Sequence, residues 1–235
     1  LPDEIYQKVN HQLAVSNART AQQNGIRLFI QISTVSVYGK VNSITYDTPE
    51  NPVDNYGKSK LCADRELITM NDPDFKVAII RPPMIYGGGN APGNMMRLVR
   101  LVDKGLPLPF REIDNKRDFI SIANFIAVLK NVILTDATGI LLVSDNRPVS
   151  TAGLIKIIAE KLGKKPRLIR LPFIMLSLLK KLRPIEYDKL FGTLTIDCKK
   201  TYEKLQMVPE SSIDEGIGEM VTWYLGQKRK FMLFV

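Results

Sequence analysis

Apolar residues along this chain alternate between helical spacing and short unbroken runs. Residues 4–24 carry helical spacing and Gly25 ends them. Residues 26–32 (IRLFIQI) form a short apolar run, a predicted buried strand. A Pro/Asn/Asp loop follows at 49–54, and Asp54 or Asn55 is placed to cap a helix that reaches about Met70. Asn71 to Asp74 turn the chain into 75–81 (FKVAIIR), a second continuous apolar run. Strands apolar on both faces and separated by helices predict a parallel sheet covered on both sides, an α/β fold.

Past Arg81 the texture changes. Residues 82–93 (PPMIYGGGNAPG) read as a Pro/Gly loop, 94–104 as a helix, 105–110 (GLPLPF) as an extended Pro-broken piece and 120–134 as a helix. Residues 139–145 (GILLVSD) predict another strand. Ser150 or Thr151 caps an amphipathic helix to Leu162, with Gly163 as its stop. The rest reads as basic and mostly helical. Residues 171–184 (LPFIMLSLLKKLRP) are apolar with a basic end, which reads as a core-packed or lid helix rather than a membrane-surface one. No role is assigned to the closing KRKFMLFV.

At 235 residues and 45% hydrophobic content the chain can bury one sizeable core with a small lobe attached. No apolar run is long enough for a transmembrane helix, and the start lacks the layout of a signal peptide. Two distant cysteines, Cys62 and Cys198, and a single histidine, His11, argue against a zinc site and for a reduced, cytoplasmic protein. The net charge is +9, with much of the excess between Lys156 and Lys204. It fits an anionic small molecule, nucleic acid, an anionic membrane or a plain solvated surface; no nucleic-acid-binding motif is present, so no nucleic-acid partner is expected.

The chemistry gathers at two places: STVSVYGK (33–40) at the end of the first strand, and DNYGKSK (54–60) at the start of the next helix. Tyr56 and Lys60 lie four apart, on one helix face, while Lys58 turns away. A nearby ammonium favours a phenolate, and a hydroxyl at the strand end can hold the same substrate oxygen. Together these groups suit proton transfer at an alcohol whose carbon gives up or takes a hydride. A Tyr and a Lys four apart are expected about once by chance in such a chain; Tyr224 and Lys228 form a second pair, read as surface helix. Context distinguishes the first.

In order and spacing, ISTVSVYG, YGKSK, VAIIRPPMIYGGG and KRDFISIANFI resemble the extended short-chain dehydrogenase/reductases, the nucleotide-sugar epimerases, dehydratases and reductases. The resemblance runs over nearly the whole chain. It implies a partial Rossmann-like, doubly wound parallel sheet over residues 1–82 and a smaller mixed α/β substrate lobe over 83–235, with 115–145 partly returning to the first domain. It implies Tyr56 as acid/base, Lys60 on the nicotinamide ribose and lowering the tyrosine pKa, Thr34 on the reacting sugar oxygen, and Ser33 and Pro83 at the nicotinamide. It places Asn94 and Arg117 at the nucleotide diphosphate and Leu108 and Phe110 around the base. For Asn94 a plain helix cap, and for Arg117 a salt bridge with Asp118, stay open. The cofactor implied is NAD or NADP, the substrate a UDP-sugar, and the assembly a homodimer built on two helices.

Departures from the family pattern narrow the reaction. Val35 and Ser36 stand where dehydratases carry an Asp-Glu pair, which disfavours water elimination. Met84 replaces an asparagine, and Ser121 and Asn124 weaken another motif. The Gly-rich turn that holds the NAD pyrophosphate has no counterpart, so the chain is expected to start inside the usual sheet and to bind dinucleotide weakly by itself. The expected function is that of a UDP-sugar 4-ketoreductase or 4-epimerase of surface-polysaccharide synthesis. A truncated, non-catalytic Rossmann-like module is the alternative.

Overall fold

The computed structural model describes residues 2–89 and 94–232. Three parallel strands, β1 (Leu28–Ile32), β3 (Lys76–Arg81) and β6 (Gly139–Leu142), form its main sheet in the order β1-β3-β6. Ile30 pairs with Ala78 and Ile79 with Ile140. A helical run over 3–23 (α1) precedes β1, α2 (Asn55–Thr69) links β1 to β3, and α4 (Ile122–Thr135) leads into β6.

The central strand shows why both faces are apolar. Val77 and Ile79 pack with Val15 and Ala18 of α1 and Ala63 and Leu67 of α2. Ala78 and Ile80, pointing the other way, pack with Phe125, Val128 and Val132 of α4. The α/β, doubly wound expectation therefore holds. A third cluster is built from α3 (Asn94–Asp103), α5 (Thr151–Lys161) and α9 (Ile213–Met232), with Phe110 and Phe191. Two-stranded parallel pairs, β2 (Ser43–Ile44) with β7 (Thr195–Ile196) and β4 (Ile85–Tyr86) with β5 (Ile120–Ser121), lie outside the main sheet. The remaining helices are α6 (Phe173–Leu182), α7 (Pro184–Phe191) and α8 (Lys199–Leu205).

Several boundaries differ from the sequence reading. The first helix is interrupted by a π-helical stretch, Gln7–Gln12. Ile120 begins a two-residue strand, and the helix starts only at Ile122, where Ser121 caps it by accepting from the Asn124 N–H. Of the core-packed or lid helix expected at 171–184, α6 is core-packed on one side only: Leu176 and Leu179 reach the third cluster, but Ile174, Met175, Leu178 and Leu182 stay exposed. Tyr224 and Lys228 are not plain surface residues either. Both donate to Asp103 Oδ2, at 2.8 and 2.7 Å, beside Lys164, and so tie α9 to α3. Burial pushes the Asp103 carboxyl up, but the hydrogen bonds from Lys164, Lys228 and Tyr224 outweigh it and hold the group well below the usual range.

Candidate active site

The site begins where β1 ends. Ser33 continues the strand's pairing through its N–H to the Ile80 carbonyl, 2.8 Å. Thr34 is extended and caps the short 3-10 turn Val35–Tyr38, accepting from the Ser36 N–H at 3.1 Å. The Val35 N–H donates to the Pro82 carbonyl at 3.1 Å, which brings the buried Pro83 against this strand end.

α2 is set on this turn by two local features. Asp54 caps it, accepting from the Gly57 N–H at 2.7 Å. Gly57 also has no Cβ for a reason: a Cβ there would sit 2.7 Å from the Ser36 carbonyl oxygen. That close approach holds the start of α2 against the turn, where Thr34 Oγ1 donates to Ser36 Oγ at 3.2 Å and Thr34 pulls the pKa of the neighbouring Tyr56 phenol down. Burial is the larger effect, and the phenol lies above the usual tyrosine value. The Tyr6 ring packs edge-on against Tyr56, with centroids 6.2 Å apart.

Lys60 does not supply the expected lowering. Its Nζ donates to the Ile32 carbonyl at 3.0 Å, and burial lowers its own pKa. A half-buried ammonium anchored at the strand end is nevertheless positioned to meet a ribose hydroxyl there. Ser33, Thr34, Tyr56, Lys60 and Pro83 thus gather at the C-terminal edge of the sheet, where open α/β sheets bind ligands.

Beneath these groups lies a network that sequence reading missed. Asp64, four residues after Lys60 on the same helix, is 1% exposed. Its Oδ2 accepts from Ser33 Oγ at 2.7 Å and from Arg81 Nε at 3.0 Å. Arg81, equally buried, also donates to Tyr38 Oη at 2.8 Å and Glu50 Oε1 at 2.6 Å. Burial pushes the Asp64 carboxyl up, against the pull of the Arg81 charge and the Ser33 hydroxyl. The spacing of Tyr56, Lys60 and Asp64 was the available signal. Tyr38 is the 3% exposed floor of this network.

The residues proposed for a nucleotide are more scattered. Phe110 and Leu108 are buried at 4% and 6% exposure, and one face of Phe110 is stacked on Phe191 with centroids 5.0 Å apart. Arg117 makes no salt bridge with Asp118. Its Nη1 donates to the carbonyls of Asp188 (3.1 Å) and Gly192 (3.0 Å), at the end of α7. Asp118 accepts instead from the Ile196 N–H at 2.8 Å, and burial pushes its pKa up to about 6. Asn94 opens α3, but its side chain lies outside the described residues.

With this geometry in place, comparison with known proteins is informative. Residues 2–140 match the family model for the NAD dependent epimerase/dehydratase family. Over 234 residues the chain is 35% identical to the UDP-glucose 4-epimerase of Vibrio cholerae, covering 95% of this chain and 71% of that protein. It is 27% identical over 179 residues to the N-acetyl-alpha-D-glucosaminyl-diphospho-ditrans,octacis-undecaprenol 4-epimerase of Escherichia coli O157:H7, covering 73% of this chain and 54% of that one. The solved structure of UDP-glucuronic acid 4-epimerase from Bacillus cereus in complex with NAD superposes with a TM-score of 0.73 at 20% identity, over 91% of this chain and 64% of that one. The chain belongs to the NAD-dependent epimerase/dehydratase family, a family of NAD-dependent enzymes, and shares their Rossmann-like fold.

Proposed function

We propose that this chain carries the catalytic face of a nucleotide-sugar 4-epimerase acting on a UDP-sugar. The observation that carries the reading is the packing of the Asp54-capped start of α2, which carries Tyr56, against the turn that Thr34 caps at the end of β1, with Lys60 anchored 3.0 Å from the Ile32 carbonyl. The 35% identity to a UDP-glucose 4-epimerase supports it.

In this reading Tyr56 takes the proton from the sugar 4-hydroxyl and later returns it. Thr34 holds the same oxygen, so the proton moves along a fixed line. Lys60 and Ser33 hold the nicotinamide ribose and ring, with Pro83 as an apolar wall. NAD, when bound, accepts the hydride and gives it back. Burial of Tyr56 keeps the phenol protonated at rest, so a positive charge brought beside the phenol would be needed to draw its proton off. Asn94 and Arg117 take the diphosphate, and Leu108 and Phe110 border the base. Val35 and Ser36 bring no carboxylate for water elimination. A homodimer fits the exposed Ile5, Val9 and Leu13, which recur every four residues along α1.

The test is to incubate the purified full chain with NAD and UDP-glucose and follow the sugar anomeric protons by NMR. Appearance of the 4-epimer without net consumption of NAD supports the reading. Stoichiometric oxidation of NADH or NADPH by a 4-keto sugar would make the chain a 4-ketoreductase instead. Neither reaction, at an NAD concentration shown by titration to saturate the chain, would leave the non-catalytic alternative.

A further inference from the structure

We infer that α6 is a docking helix for an anionic lipid bilayer surface, lying flat on it rather than crossing it. Ile174, Leu178 and Leu182 recur every four residues, so they form one row along the helix, and Met175 widens it. Their exposures are 79%, 53%, 66% and 54%. The opposite side, through Leu176 and Leu179, packs on the third core cluster. The helix is thus fastened to the body of the protein with an apolar row turned outward.

Charge decides what that row meets. No Asp or Glu occurs anywhere from Lys164 to Arg183. Lys181, exposed, flanks the row at the C-terminal end of the helix, Lys180 lies on the other side over the Tyr187 ring, and Lys165 lies on the same lobe's surface. Glu112, the acidic group beside the helix entry, is taken up by Arg170 at 2.7 Å. An apolar row beside lysines matches the boundary between acyl chains and anionic headgroups. Other exposed apolar groups lack this surrounding: the α1 row follows Asp3 and Glu4, and the one on α4 precedes Asp136. At ten residues α6 is about 15 Å long, half the thickness of a hydrocarbon core. Among the described residues no helix is long and apolar enough to cross a membrane.

The inference stands apart from the nucleotide-sugar reading, since none of these residues belongs to the proposed site. The test is co-sedimentation of the full chain with two kinds of vesicle, phosphatidylcholine alone and phosphatidylcholine with phosphatidylglycerol. The chain is expected to pellet with the anionic vesicles and to stay in solution with the neutral ones. Ile174→Asp with Leu178→Asp should lower the bound fraction at least tenfold. Lys165→Glu with Lys181→Glu, a second variant that leaves the apolar row intact, should lower it several-fold and weaken its dependence on salt. Circular dichroism and thermal melting of each variant should match the parent, because the altered side chains are exposed. Absence of the full chain from the anionic pellet would overturn the proposal, as would equal binding by the aspartate variant. A halving of the molar mass in light scattering on introducing the two aspartates would also overturn it, by showing that a second copy of the chain covers the row.

Discussion

Replacing Asp64 by Asn tests the framework that holds the site. The substitution keeps the shape but removes the charge that Arg81 Nε meets at 3.0 Å, where both side chains are 1% exposed. It also withdraws the carboxylate that accepts from Ser33 at 2.7 Å. Breaking a buried pair by removing one partner costs about 3–5 kcal/mol. Glu50, 22% exposed and 2.6 Å from Arg81, still compensates part of the cation, which lowers the expected loss to about 2–4 kcal/mol. With a urea dependence of about 2–3 kcal/mol per molar, the unfolding midpoint should fall by about 1 M. Asp64→Leu combined with Arg81→Met should recover much of the loss, because the one charge left, the partly exposed Glu50, still has Arg65 at 3.3 Å. A loss below about 1 kcal/mol, or a double variant whose loss equals the sum of the singles, would refute the reasoning.

Four further outcomes follow. Asp118, its pKa pushed up to about 6 by burial, binds its proton more tightly folded than unfolded, where the value is about 3.9. The stability this adds is complete below pH 3.9 and lost as pH rises through 6, about 3 kcal/mol in all. Asp118→Asn should therefore exceed the parent in urea resistance at pH 7.5 by more than it does at pH 5; a gap equal at both values would contradict this. Gly57→Ala drives a methyl to within 2.7 Å of the Ser36 carbonyl, and should cost about 1–3 kcal/mol while lowering kcat through displacement of Tyr56; unchanged melting and turnover would count against the close approach. A thiol reagent should modify Cys62 in the native protein and reach Cys198 only after unfolding, since Cys198 is buried with its pKa pushed up to about 12; two fast-reacting thiols in the native state would contradict the packing. Methionine at position 117 should loosen the end of α7, because the Arg117 guanidinium holds two of its carbonyls, and the expected loss is about 1–3 kcal/mol by chemical denaturation; a variant as stable as the parent would show those bonds to be dispensable.

Local chemistry was what the sequence displayed best. The three strands of the sheet, the Asp54 cap and the shared face of Tyr56 and Lys60 all depend on residues within a few positions of one another. What escaped notice depends on long-range partners. Arg81 closes an apolar run and looks like a charge entering solvent, yet its partner Asp64 lies across the parallel crossover, 17 residues away. Arg117 Nη1 donates to carbonyls 71 and 75 residues downstream, which the neighbouring Asp118 would not suggest. Tyr224 and Lys228 looked like an exposed pair because Asp103, the group they meet, is more than a hundred residues earlier. The lowering of the Tyr56 pKa was argued from the charge of Lys60 alone. The structure adds burial, which acts in the opposite direction and is larger.

The central claim is that the Tyr56 phenol moves the proton at the sugar. The direct measurement is the rate of UDP-glucose and UDP-galactose interconversion by Tyr56→Phe beside the parent chain, with NAD saturating and the fold checked by circular dichroism. The expected result is a fall in kcat of about 10²–10⁴ with substrate binding retained. A phenylalanine variant that turns over at the parent rate would contradict it.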